Sequence, residues 1–164
     1  MVVTFFGHRE VRENIDSILR QTIVDLIENH NADVFYVGNQ GHFDFTVRKT
    51  LKMLSAEYPH IRYAVMLAYL PWNQNDLYPE DFSDAIFPEE LETVPKKFAI
   101  DKRNHLMLSY ADTVVTYVKR TDGGAAKFQS LAKKKGKKVI NIADLSKCQG
   151  SPCQGSCQRT LTEG

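Results

Sequence analysis

Cysteine is scarce and confined. The three in the chain stand at 148, 153 and 157, away from every apolar run that could build a core. An odd number crowded into one terminus makes a poor disulfide framework. A structural zinc site wants four ligands, and no histidine lies near Cys148, Cys153 or Cys157. No metal is expected, and no cofactor. Neither charge is in excess: 21 Lys and Arg face 20 Asp and Glu, for a net charge of +1. A nucleic-acid-binding domain is normally clearly basic, so nucleic acid is disfavoured as a partner. No apolar run approaches the ~18 residues that a membrane helix requires, so no membrane partner is expected. The N-terminus shows no basic segment followed by a long apolar stretch, and the expected location is cytoplasmic.

What is present suits a globular domain. The 164 residues are 43% hydrophobic and 25% charged, an ordinary mixture for a chain that buries a core. Short apolar runs alternate with helical periodicity. Val2–Phe6, Val34–Val37, Tyr63–Ala68, Thr113–Val118 and Val139–Ile142 read as strands, the first two ending at Gly7 and Gly38. Between them, apolar residues recur at helical spacing over Ile15–Ile27, from about Asp44 to Tyr58, around Lys97–Tyr110, and from Gly123-Gly124 to about Lys135, with Gly136 as cap. The stretch 73–92 holds seven acidic residues, two prolines and no Lys or Arg, and reads as an irregular excursion. After Asp144 the chain turns polar and rich in Gly, Ser, Gln and Cys.

Strands alternating with helices predict an α/β fold: a three-layer Rossmann-like domain over 1–145 with a mostly parallel sheet of about five strands, and a flexible tail over 146–164. In such sheets ligands bind beyond the carboxyl ends of the strands, where the strand order reverses. The residues after each strand are therefore the candidates. Gly7, His8 and Arg9 follow the first strand. Gly7 would let a ligand approach the backbone or simply turn the chain, and Arg9 would contact a phosphate or stay solvated. Gly38, Asn39, Gln40 and Gly41 follow the second, a loop suited to hydrogen-bonding a sugar or a base. Asp44 reads more readily as the N-cap of the next helix. His8 and His42 read as ordinary hydrogen-bonding histidines rather than metal ligands. Tyr69, Pro71 and Trp72 follow the third strand, where an aromatic would stack on a base or cover the sheet edge. Gly123, Gly124 and Ala125 open a helix after the fourth, where backbone N–H groups and the helix dipole favour phosphate. The run Lys133–Lys138 reads as a solvated cluster complementing a helix end.

Phe6-Gly7-His8-Arg9, Phe43-Asp44 and the block from Lys102 through Gly123-Gly124 to Ile142 resemble the small bacterial and phage proteins of the SLOG superfamily. The likeness covers about residues 1–142. Its most specific part is Lys-Arg-Asn-x-x-Met-x-x-x-Ala-Asp over 102–112, with the Gly-Gly pair that follows. That superfamily joins DNA-processing DprA proteins with the Lonely Guy phosphoribohydrolases, which release bases from nucleoside monophosphates. The resemblance implies a Rossmann-like fold, a nucleotide-like small-molecule partner and a phosphate-binding loop, and it allows a homodimer. It also makes Arg103 a phosphate-binding and candidate catalytic residue, with the rest of a catalytic set unknown.

The chain departs from the enzymes' Gly-Gly-x-Gly-Thr-x-x-Glu motif. The Gly after the pair is Ala126, the Thr is Lys127 and the catalytic Glu is Ser130. Glycosidic cleavage passes through an oxocarbenium-like state that a carboxylate stabilises, and losing such a contact costs about 3–4 kcal/mol of barrier. The expectation is therefore a non-catalytic sensor or regulator that binds a nucleotide or nucleotide-derived ligand. The alternative is a nucleoside 5′-monophosphate hydrolase with an altered motif, drawing on Glu10, Asp44 or Asp122. A DNA-processing accessory role ranks below both.

Overall fold

A computed structural model describes residues 1–70 and 84–145. Chain order is β1 (Val2–Gly7), α1 (Asp16–His30), β2 (Val34–Val37), α2 (His42–Glu57), β3 (Arg62–Met66), β4 (Ala85–Ile86), α3 (Lys96–Tyr110), β5 (Thr113–Tyr117), α4 (Gly124–Lys134), β6 (Lys138–Asn141) and α5 (Ile142–Leu145). All neighbouring strands pair in parallel, in the order β4-β3-β2-β1-β5-β6.

Period-2 alternation sorts the side chains between two cores. Val3 and Phe5 of β1, Phe35 and Val37 of β2, and Val115 and Tyr117 of β5 pack with α1, α2 and α5. Phe6, Met66 and Val114 pack instead with Met107 and Leu108 of α3 and Phe128 and Ala132 of α4. The sheet is thus the middle of three layers. From β1 the chain lays β2, β3 and β4 outward on one side, then returns to place β5 and β6 on the other, so the order reverses between β1 and β5. That is the crevice where an open parallel sheet receives a ligand.

The sheet has six strands among the described residues, one more than the five expected. The extra strand, β4, lies inside the acidic stretch 73–92, and a 3₁₀ turn at Glu89–Leu91 follows it. Two residues are too few to leave a periodic signal; β4 forms because the open edge of β3 offers backbone partners, Val65 opposite Ala85 and Met66 opposite Ile86. Pro71, Trp72 and the rest of that stretch up to 83 lie outside the described residues, as do the tail from 146 and its cysteines. The last strand ends one residue sooner than expected, with Ile142 entering α5.

The lysine-rich run closes α4. Gly136, at φ +68°, donates from its N–H to Lys133 O, and Lys137 N–H reaches Ala132 O. This pair of bonds satisfies the last helical carbonyls as a Schellman cap does. Lys137 Nζ donates to Ala111 O, and Lys133 and Lys134 sit in the last turn, where cations complement the dipole.

Candidate functional site

A cavity of about 400 Å³ opens at the carboxyl ends of β1, β2 and β5, at the strand-order reversal. Nine of the residues singled out from sequence line it: Gly7, His8, Arg9, Gly38, Gln40, Arg103, Gly123, Gly124 and Ala125. Asn39 and Gly41 stand behind this lining. Asn39 Oδ1 accepts from Arg103 Nη1 at 3.5 Å. Gly41, at φ +94°, is the N-cap of α2, and a Cβ there would lie 2.7 Å from Arg9 Cα.

The β1–α1 and β2–α2 loops are therefore pressed together. His42 N–H donates to Arg9 O at 2.8 Å, while the Arg9 side chain remains exposed at the cavity. Gly7 is required by packing more than by a ligand, since a Cβ there would sit 2.2 Å from the Phe43 ring. His8 spans the reversal point. Its Nε2 accepts the N–H of Lys119 at 3.1 Å and of Arg120 at 3.4 Å, fixing the loop that leads into α4. Burial, with the nearby Arg120 charge, holds its pKa below the ordinary imidazole value. His8 Nε2 is thus engaged by protein donors.

The floor of the cavity is a buried charge pair. Arg103, on α3, is 2% exposed and donates from Nη1 to Met66 O at 2.9 Å. Its Nε is buried with no hydrogen-bond partner among the described residues. Asp44 is 7% exposed and is not the N-cap of α2: that place belongs to Gly41. Asp44 stands at the third helical position instead, and its Oδ2 accepts from Gln40 N at 2.9 Å. Desolvation raises the Asp44 carboxyl pKa, with Arg103 opposing. Desolvation likewise lowers the Arg103 pKa, with Asp44 opposing. Each charge offsets part of the other's burial cost.

The opposite rim is the open N-terminus of α4. Gly123 is its N-cap at φ +90°, no side chain caps it, and a Cβ on Gly123 or Gly124 would meet nothing within 4 Å. The first amides of this eleven-residue helix face the cavity without a side-chain acceptor, beside Arg9 and Arg120.

Ser130, which takes the place of the enzymes' Glu, is exposed on α4 and away from the lining. Tyr69 is also outside it, with Lys96 Nζ 4.7 Å from its ring centroid. Sequence reasoning assigns no site role to Arg120 or Ile100; Asn104 and Met107 stand in the 102–112 segment without one, and Asp44 reads as a cap or as a substitute carboxylate. Arg120 follows β5 by three residues and was reachable by the rule that selected the other loops. The α3 residues were reachable only by placing that helix over the sheet end. Among the described residues no group of three or more His, Cys, Asp or Glu side chains could hold a metal ion, and no helix is long and apolar enough to cross a membrane. Compared with known proteins, the chain matches no family model and no curated protein.

Proposed function

We propose that the protein binds a nucleotide or nucleotide-derived ligand in the cavity at the β1–β5 reversal and acts as a non-catalytic sensor or regulator. One observation carries this reading: the uncapped N-terminus of α4 shares a cavity with Arg9, Arg120 and a buried Arg103 whose Nε has no partner among the described residues. Free helix amides and convergent guanidinium groups are what a phosphate requires. The likeness to the SLOG superfamily supports the same ligand class, and the exposed position of Ser130 argues for binding without turnover.

A second reading, hydrolysis of nucleoside 5′-monophosphates, is favoured by Asp44 alone, because it is the one carboxylate among the described residues that line the cavity. Proton NMR of a nucleoside-monophosphate and dinucleotide panel, each followed for hours with the protein, separates the two. Broadened but intact ligand signals support the sensor. Sharp free-base signals establish the hydrolase. Silence across the panel overturns both. A DNA-processing role, the remaining reading, would require DNA binding with a steep dependence on salt.

A further inference from the structure

The cavity has three chemically distinct zones. The cationic rim combines the α4 N-terminus with Arg9 and Arg120. An apolar wall comes from Ile100 and Met107 of α3. The floor holds Asp44, an acceptor in a place where water is largely excluded. The Gln40 N–H is the only hydrogen bond its carboxylate accepts among the described residues, and it uses Oδ2. The other oxygen therefore awaits a donor.

A buried carboxylate keeps its charge at a cost that a donated hydrogen bond reduces. Phosphate suits the rim and repels Asp44. A base suits the apolar wall. The remaining part of a nucleotide, the sugar, lies between the other two and carries neutral O–H donors. Acidic side chains beyond the second strand of parallel sheets accept ribose hydroxyls for the same reason.

We infer that Asp44 is a specificity-determining residue that accepts a ribose hydroxyl, so that the site selects ribonucleotides over 2′-deoxyribonucleotides. This rests on the nucleotide reading above. Arg103 supports the role because its charge opposes the desolvation that raises the Asp44 pKa, and Gly38 supports it by leaving room beside both groups.

The test is titration calorimetry with adenosine, guanosine, cytidine and uridine 5′-monophosphates, each against its 2′-deoxy counterpart. A lost hydrogen bond to a charged group predicts about tenfold weaker binding of the deoxy compound, or more. Asp44→Asn should bring that ratio close to one while ribonucleotide binding persists at reduced affinity. The wild-type comparison stands even if the variant fails to fold. Equal affinities for the ribo and deoxy members, with clear binding of both, would overturn the role of Asp44 and leave the nucleotide reading intact. A deoxy penalty that survives unchanged in folded Asp44→Asn would also overturn it. Absence of binding by all eight compounds would overturn this inference, and the nucleotide reading with it where the dinucleotides are silent as well.

Discussion

Asp44 and Arg103 converge on the α-carbon of Gly38: a methyl group placed there would lie 2.4 Å from Asp44 Oδ2 and 2.6 Å from Arg103 Nη1. Neither side chain is free to swing aside, because Gln40 N–H holds one and Met66 O holds the other. Gly38→Ala should therefore destabilise the fold by about 1–3 kcal/mol, the usual cost of overpacking. Urea denaturation monitored by circular dichroism would measure it. An unchanged midpoint would mean that the pair relaxes freely.

Arg103 is a structural cation as well as a site residue. The resemblance makes Arg103 a phosphate-binding candidate; its burial and its bond to Met66 O make it part of the fold as well. Arg103→Ala removes the stronger of the two guanidinium influences that offset the burial of Asp44, leaving Arg48, and should cost about 3 kcal/mol near neutral pH. Adding Asp44→Asn to that variant should recover part of the loss. A double-mutant cycle in urea reads this coupling, and strict additivity would show that the two charges act independently.

His8 gives stability a defined pH dependence. Its folded pKa lies below the unfolded value of about 6.5, so the unfolded chain takes up its proton first as pH falls. The His8 contribution is fully present above that unfolded value and is lost as pH falls through the lower folded one. Protonation of Nε2 would also remove the acceptor for Lys119 and Arg120 N–H. The denaturation midpoint of wild type should fall more steeply between pH 7.5 and 5 than that of His8→Gln. Parallel curves for the two proteins would rule this out.

Two glycines in the same cavity separate fold from site. Gly7→Ala forces a methyl group into the Phe43 ring and should destabilise by about 1–3 kcal/mol or more. Gly124→Ala meets nothing within 4 Å, lies at the first position of α4, and should be neutral or stabilise by up to about 1 kcal/mol. Its methyl group nevertheless intrudes where backbone would approach a phosphate. Weakened nucleoside-monophosphate binding with unimpaired thermal stability is the expected pair of results for Gly124→Ala.

The architecture was legible because alternation within strands and periodicity within helices are local. Val3 and Phe5 separate from Thr4 and Phe6 by spacing alone, and the turn glycines mark the strand ends. What failed to show was long-range. β4 exists because β3 offers it an edge, and nothing in Ala85-Ile86 announces a strand. Asp44 resembles a cap until Gly41 takes that place and a guanidinium from α3, far along the chain, is brought beside the carboxylate. His8 could be read as a ligand contact because the backbone amides that occupy its Nε2 lie 111 and 112 residues away.

The pairing of β1 with β5 joins distant chain segments, with Val3 opposite Thr113. Residues up to Met66 supply one wall of the cavity, and residues from Lys96 onward supply the other. The site is a seam between two halves of the polypeptide, each of which carries an incomplete set of contacts. A ligand seated there would act as a clasp. It would resist separation of the halves, so occupancy would be felt in how readily the whole chain comes apart as well as in the loops that touch it.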